Sequence, residues 1–410
     1  MMTHNWGALA ATRLAQIAKI SDPGPGVTRL PFTPNHKLAL SMIGHWMDAA
    51  GLDVHLDAAG TLIGRREGPP GAPTFLIGSH QDSVRQGGGF DGIMGVALGC
   101  LALEKLASDK ETLPFAVEIL AFADEEGVRF ATALMGPRAL AGTFDPAVLD
   151  MQDSAGITLR QAMQEFGLNP EAVPGLARQR ADVLGYLEVH IEQGPVLEDA
   201  DQALGVVTAI CGIERHQIVF TGETGHAGTL PMRARRDALV GASEFIVEVS
   251  RFAQSQEDLR ATVGTLTLEP GAVNAVPREV HLTLELRAPI DAIRQEASRY
   301  FADFAREIAQ KNDLGVTLTR SYAQPAAPCS PDLIPPLTRA VGETGGLGLH
   351  LPSGATHDAS AMSDLCPIAM LFVRCRGGVS HRPDEWAKAD DMGEAIDAMA
   401  RFLTDIPAQP

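Results

Sequence analysis

TFLIGSHQD, residues 74–82, opens on a short run of β-favouring residues and closes on a histidine and an aspartate two apart. FAVEILAFADEE, residues 115–126, repeats the plan, an apolar run followed by three consecutive acids. Apolar runs of this length, closed by polar clusters, mark strands buried on both faces of a largely parallel sheet. Between them Ile93, Val96, Ala97, Cys100 and Leu101 recur at helical spacing. The stretch from Gly92 to Leu106 is therefore expected as a helix, completing a strand, loop, helix, strand unit. In an open α/β sheet the site lies beyond the carboxyl ends of the strands, where both polar clusters fall.

Further along the chain the pattern changes. Strands are expected at 216–221, 262–268, 279–287 and 315–321, with helices at 237–252 and 290–310. EVHLTLELR at 279–287 alternates strictly, with Val280, Leu282, Leu284 and Leu286 on one face. This βαββαβ order predicts a ferredoxin-like α+β insertion at 212–325 with a four-stranded antiparallel sheet. The α/β pattern then returns with a helix near 331–342, a strand at 367–375 and a closing helix from about 390. The main α/β domain is thus expected in two parts, 1–211 and 326–410.

Composition narrows the function classes. The formal charge of -18, from 51 acidic and 33 basic residues, repels phosphate backbones and anionic lipid, so neither nucleic acid nor membrane is an expected partner. An anionic small substrate would need a local Arg or cation to reverse the sign. Five cysteines, with no CxxC pair, fit reduced thiols better than a disulfide framework. The N-terminal stretch lacks the pattern of a secretory leader and no apolar run reaches membrane-spanning length, so a cytoplasmic location is expected.

Five segments carry metal-seeking side chains: GSHQD at 78–82, FDG at 90–92, DEEG at 124–127, EVHIEQG at 188–194 and GGVSHRPDE at 377–385. Together they supply His80, Asp91, Glu126, His190 and His381, one shared carboxylate and two further ligands for each of two metal ions. Such a pair clamps both the attacking water and the oxygen that becomes negative during amide hydrolysis. Asp82, two residues after His80, can hydrogen-bond the ring nitrogen that faces away from the metal. Glu125 and Glu126, held side by side, repel each other unless cations lie close; one would ligate and the other would move a proton. Each motif alone has an ordinary reading. Asp91 could be a helix N-cap, DEEG a solvated turn, His190 a half-buried strand residue, His381 a loop histidine and the GGG of 87–89 a tight turn or a phosphate loop.

GSHQD, GGGFDG, FADEEGVRF, LEVHIEQGPVLE, GHAGTLPM, NAVP, SGATHDA and GGVSH, in this order, resemble the amidase/hydantoinase/carbamoylase family, from about residue 10 to 400. That family includes N-carbamoyl-L-amino-acid hydrolases and allantoate amidohydrolases. The resemblance implies a zinc-aminopeptidase-type catalytic domain and an insertion that serves as lid and dimerisation domain. It implies His80 and His190 on one ion, Glu126 and His381 on the other, Asp91 between them and Glu125 as general acid/base. It also implies that His226 stabilises the oxyanion, that Asn274 and Arg287 clamp the substrate carboxylate, and that Gln193 and His357 contact substrate. A homodimer is implied, with His226, Asn274 and Arg287 supplied across subunits. For Arg287 an ordinary ion pair with Glu285 or Asp291 is the alternative. Thr356 in SGATHDA and Gln81 in HQD depart from the family pattern, and Arg374 and Arg376 in RCRGG stand where the family varies.

The expected activity is hydrolysis of the ureido amide of a small carboxylate, an N-carbamoyl-L-amino acid first, releasing amine, carbon dioxide and ammonia. Allantoate is the alternative substrate. An aminoacylase or dipeptidase, and a metal-dependent binding protein without catalysis, are further alternatives. Two divalent ions are expected, zinc foremost, with manganese, cobalt or nickel suited to the same nitrogen and oxygen donors.

Overall fold

The computed structural model describes residues 5–407; the outermost ends of the expected main domain, and the first four residues of the stretch read for a leader, lie outside them. The chain divides into two compact units, one spanning Ala209–Ala327 and the other formed by the residues up to Thr208 and from Pro328. Among the described residues no helix is long and apolar enough to cross a membrane, and all five cysteines are buried and free.

In the first unit the strands run in the order Asp53–Leu56, Leu62–Arg66, Ala116–Phe122, Thr74–His80, Val183–Ile191, Ile368–Val373 and Leu204–Ile210. The four central strands, from Ala116–Phe122 to Ile368–Val373, are parallel, and the flanking pairings are antiparallel. Thr74–His80, Ala116–Phe122 and Ile368–Val373 are buried along their whole length. That is why their sequences read as continuous apolar runs rather than as alternation. Register pairs His80 with Phe122 and His190 with Phe372, so the carboxyl ends of the central strands finish together and deliver their polar clusters to one edge. The helix Ile93–Asp109 is apolar nearly all round and packs on this sheet. The closing helix is Ala389–Asp405.

The second unit holds the two helices Ala238–Gln254 and Asp291–Lys311 against an antiparallel sheet. Its strands run in the order Gly315–Gln324, Gly212–Thr221, Glu279–Ala288 and Arg260–Thr262. Val280, Leu282, Leu284 and Leu286 face a core shared with Phe245, Phe301 and Ile308. Asp237 caps the first helix by accepting the N–H groups of Leu239 and Val240 at 3.0 and 3.3 Å. The strand expected at 262–268 is two pieces, Arg260–Thr262 and Leu266–Glu269, both paired with Glu279–Ala288. Between them the Thr283 hydroxyl accepts the Thr265 N–H at 3.1 Å, so a side chain takes the place of a ladder bond.

Candidate metal centre

His80 is the last residue of its strand and His190 the penultimate residue of the next, and both are buried. The Nδ1 atom of His80 lies 3.1 Å from the Asp82 carbonyl, and that of His190 lies 2.9 Å from the Ile191 carbonyl. Carbonyls accept only, so each ring carries a proton on Nδ1, and in its neutral form offers the lone pair of Nε2. Both Nε2 atoms point at the same oxygen. Asp91 Oδ1 is 3.7 Å from His80 and 2.9 Å from His190. The other oxygen, Oδ2, is 3.1 Å from His381 Nε2, which in turn is 3.8 Å from Glu126 Oε1. Each of the trios His80, Asp91, His190 and Asp91, Glu126, His381 has ligand atoms within 4.8 Å of one another.

Local backbone explains how Asp91 comes to bridge them. The N-cap of the helix Ile93–Asp109 is Gly92, in the left-handed region at φ 65°, and no side chain caps the helix. Asp91 is therefore not the N-cap that its place before the helix allowed. A Cβ on Gly92 would meet the His80 ring at 2.3 Å, so glycine is required both by conformation and by space. His381 holds φ 57° and Gln193 φ 58°, unusual for side chains of their size and grouped around Asp91.

Asp82 stands beside His80 Nδ1 but has a second use as well. Its carboxylate stands 3.5 Å from His80 Nδ1, while its two oxygens accept the N–H groups of Glu125 and Glu126 at 3.1 and 3.2 Å. The side chain thus anchors the DEE turn, and the Asp82 main chain orients the imidazole. The sequence spacing could not separate these two uses of one residue.

Asp82, Asp91, Asp124, Glu125, Glu188 and Asp358 are all buried. Burial, reinforced by neighbouring acids, pushes Glu125 well above the ordinary carboxylate range and Glu126 to about 7. Burial raises Asp124 and Asp358 likewise, and both carboxylate oxygens of Asp358 lack a hydrogen-bond partner. Asp91 goes the other way: where no cation lies between them the His190 and His381 rings bind an extra proton and donate to it, which outweighs its burial and holds it well below the usual range. So much buried negative charge with lone-pair nitrogens aimed at it is an arrangement that divalent cations relieve. The buried Glu126 Oε1, without a hydrogen-bond partner, completes a donor set that fits them.

The remaining expected residues divide between the units. Gln193 reaches Asp91 Oδ2 at 3.2 Å and the Ser380 hydroxyl at 3.0 Å. His357 is buried beside the His190 ring, centroids 4.5 Å apart, with Nε2 2.7 Å from the Ser353 hydroxyl. Burial, aided by His190, holds it neutral. In the second unit the Ala227 N–H donates to the Asn274 carbonyl at 2.9 Å, bringing His226 and Asn274 to one turn. The His226 Nδ1 accepts the Gly228 N–H at 3.1 Å. Arg287 lies on Glu279–Ala288 and donates to Glu285 at 2.7 Å, the ion pair foreseen as its alternative; Asp291 pairs with Arg294 instead. Glu188 went unassigned in the sequence. It accepts the Ser79 hydroxyl at 2.9 Å and the Ala359 N–H at 2.8 Å and groups with His190 and His357. Its position two before His190, on the same strand face, was the available signal.

Histidines and carboxylates gathered at the carboxyl ends of parallel strands define a metal-dependent hydrolase. A family model described as peptidase family M20/M25/M40 matches residues 76–405, and the chain belongs to that family. Its hydrolases are metal-dependent and act on carbon–nitrogen bonds. An N-carbamoyl-L-amino acid amidohydrolase of Geobacillus stearothermophilus is 39% identical over 92% of this chain and 93% of its own length. An allantoate deiminase of Arabidopsis thaliana is 36% identical over 96% of this chain and 81% of its own. Among solved structures, an amidase of the hydantoinase/carbamoylase family from Burkholderia multivorans superposes with a TM-score of 0.92 at 31% identity, covering 98% of both chains.

Proposed function

We propose that this protein hydrolyses the ureido amide of a small carboxylate, an N-carbamoyl-L-amino acid foremost, to amine, carbon dioxide and ammonia. The observation that carries the reading is the convergence of His80, His190 and His381 on the two oxygens of Asp91, with Glu126 beside them. In this reading His80 and His190 hold one divalent ion, Glu126 and His381 the other, and Asp91 lies between. Bound ions, zinc or else manganese, cobalt or nickel, would supply Lewis acidity and bring a water's pKa to about 7.

The protein's own groups do the rest. Glu125 takes a proton from the attacking water and returns it to the leaving nitrogen; its burial favours holding that proton between the two steps. The Gln193 amide, with its Oε1 buried and without a hydrogen-bond partner, turns from Asp91 to the ureido group. His357, neutral, borders the bound substrate. We further propose a homodimer in which the inserted unit of a second copy supplies His226 for the oxyanion and Asn274 and Arg287 for the carboxylate. A guanidinium suits that last role because it can give two parallel hydrogen bonds. Similarity to allantoate deiminases supports a second reading, allantoate as substrate, in which polar groups must meet a second ureido arm.

The test is ammonia release. The metal-free protein is reconstituted separately with zinc, manganese, cobalt and nickel and given N-carbamoyl-L-amino acids, allantoate and N-acyl amino acids. Ammonia from the carbamoyl acids at the highest kcat/KM is the expected result. Ammonia from allantoate alone selects the second reading, and release of carboxylate from N-acyl amino acids without ammonia from any ureido acid refutes both.

A further inference from the structure

Glu385 lies four residues beyond His381 and is only 4% exposed. Its Oε1 accepts the N–H groups of both Phe90 and Asp91 at 3.0 Å, and its Oε2 accepts the Ser380 hydroxyl at 2.9 Å. One buried carboxylate thus ties the loop that carries Asp91 to the turn that carries His381. Two main-chain donors depend on it, and a buried N–H left unpaired is costly.

Ser380 sits at a branch point. Its Oγ is also 3.3 Å from Asp91 Oδ2 and receives the Gln193 amide at 3.0 Å. A hydroxyl has one proton to give, and the shorter contact assigns it to Glu385. Asp91 Oδ2 is therefore spared the Ser380 proton and keeps a lone pair for the cation it would ligate with His381 and Glu126. The same bond steadies the turn in which His381 is held at φ 57°, a conformation that persists only where its surroundings enforce it.

The GGG run has its explanation here. A Cβ on Gly88 would stand 2.1 Å from Glu385 Oε1, 2.2 Å from its Cδ and 2.4 Å from its Cβ. The middle glycine is the space the carboxylate occupies, and neither a generic tight turn nor a phosphate loop accounts for it.

We infer that Glu385 is a positioning residue which, through the Phe90 and Asp91 amides and Ser380, holds Asp91 and His381 in register for the cation they share, and that Gly88 admits it. This rests on the metallohydrolase reading. The test is equilibrium dialysis of metal-free wild type, E385A, E385Q and G88A against buffered free zinc, counting zinc per chain, with thermal unfolding of each metal-free protein alongside. E385A and G88A should need about 10 to 100 times more free zinc to fill the weaker site, the usual size of an outer-shell effect. E385Q, whose amide oxygen still accepts both N–H groups, should lose less than about tenfold. The metal-free unfolding midpoint should stay close to wild type in E385Q, while E385A and G88A should unfold somewhat earlier yet remain folded at the temperature of the dialysis. Wild-type zinc titrations in E385A and G88A overturn the inference, as does loss of both ions in step with loss of the metal-free fold. If wild type binds no zinc at all, the metallohydrolase reading fails first and this inference falls with it.

Discussion

His36 should make the first unit lose stability as pH falls below neutrality. It lies on the helix Pro34–Ala49, fully buried, with Nδ1 accepting the Phe32 N–H at 2.9 Å and its ring stacked on Phe166 at 4.7 Å. Its Nε2 is buried without a partner. Burial, with Arg29 nearby, lowers its pKa from 6.5 to about 3. Because the folded value is the lower one, the unfolded chain binds the extra proton between pH 6.5 and 3. The stabilisation is therefore complete above pH 6.5 and is lost as pH falls through that window. Its full size is about 5 kcal/mol, and the loss reached at pH 5 is about 2 kcal/mol. Asp57, which burial pushes up to about 6, pulls the opposite way over part of this range, so the informative quantity is a difference between variants. His36→Asn keeps an acceptor near the Nδ1 position but cannot be charged. Trp6, Trp46 and Trp386 all belong to the first unit, so fluorescence-detected urea unfolding of metal-free protein reports on it alone. Between pH 7.5 and 5 wild type should lose about 2 kcal/mol more than His36→Asn. Equal losses in the two proteins would refute the argument.

Glu125→Gln should lower kcat about 100- to 10,000-fold, the range for a lost general acid/base, with zinc content by elemental analysis unchanged. Retained turnover would remove Glu125 from the mechanism. Dialysis against a chelator should abolish ammonia release, and divalent ions should restore it; full activity in protein shown to be metal-free would exclude the proposed chemistry. Leu371→Ala, at a fully buried position on the strand between Val189 and Val206, should cost about 2 to 5 kcal/mol by the same urea assay. A loss under about 0.5 kcal/mol would mean the sheet centre is not packed as described.

The parallel centre of the sheet was legible because strands buried on both faces leave unbroken apolar runs, as at Thr74–His80 and Ala116–Phe122. Alternation at Glu279–Ala288 was legible for the complementary reason, one face buried and one wet. Broken strand geometry was not: at the break the Thr265 N–H goes to the Thr283 hydroxyl, a contact between positions 18 apart. The ligand candidates could be named because His and Glu at strand ends are chemically conspicuous. How their supports share the work was hidden, since Asp82 bonds to amides 43 and 44 residues away and Glu385 to amides 294 and 295 away. Gly92 and Gly88 look like turn glycines in sequence; only packing reveals that each makes room for a particular side chain.

The most direct measurement is an anomalous difference map at the zinc absorption edge from crystals of the zinc-loaded protein. Two peaks about 3.5 Å apart are expected, one against His80, His190 and Asp91, the other against Asp91, Glu126 and His381. Zinc bound elsewhere, with none of these five side chains in contact, would contradict the reading.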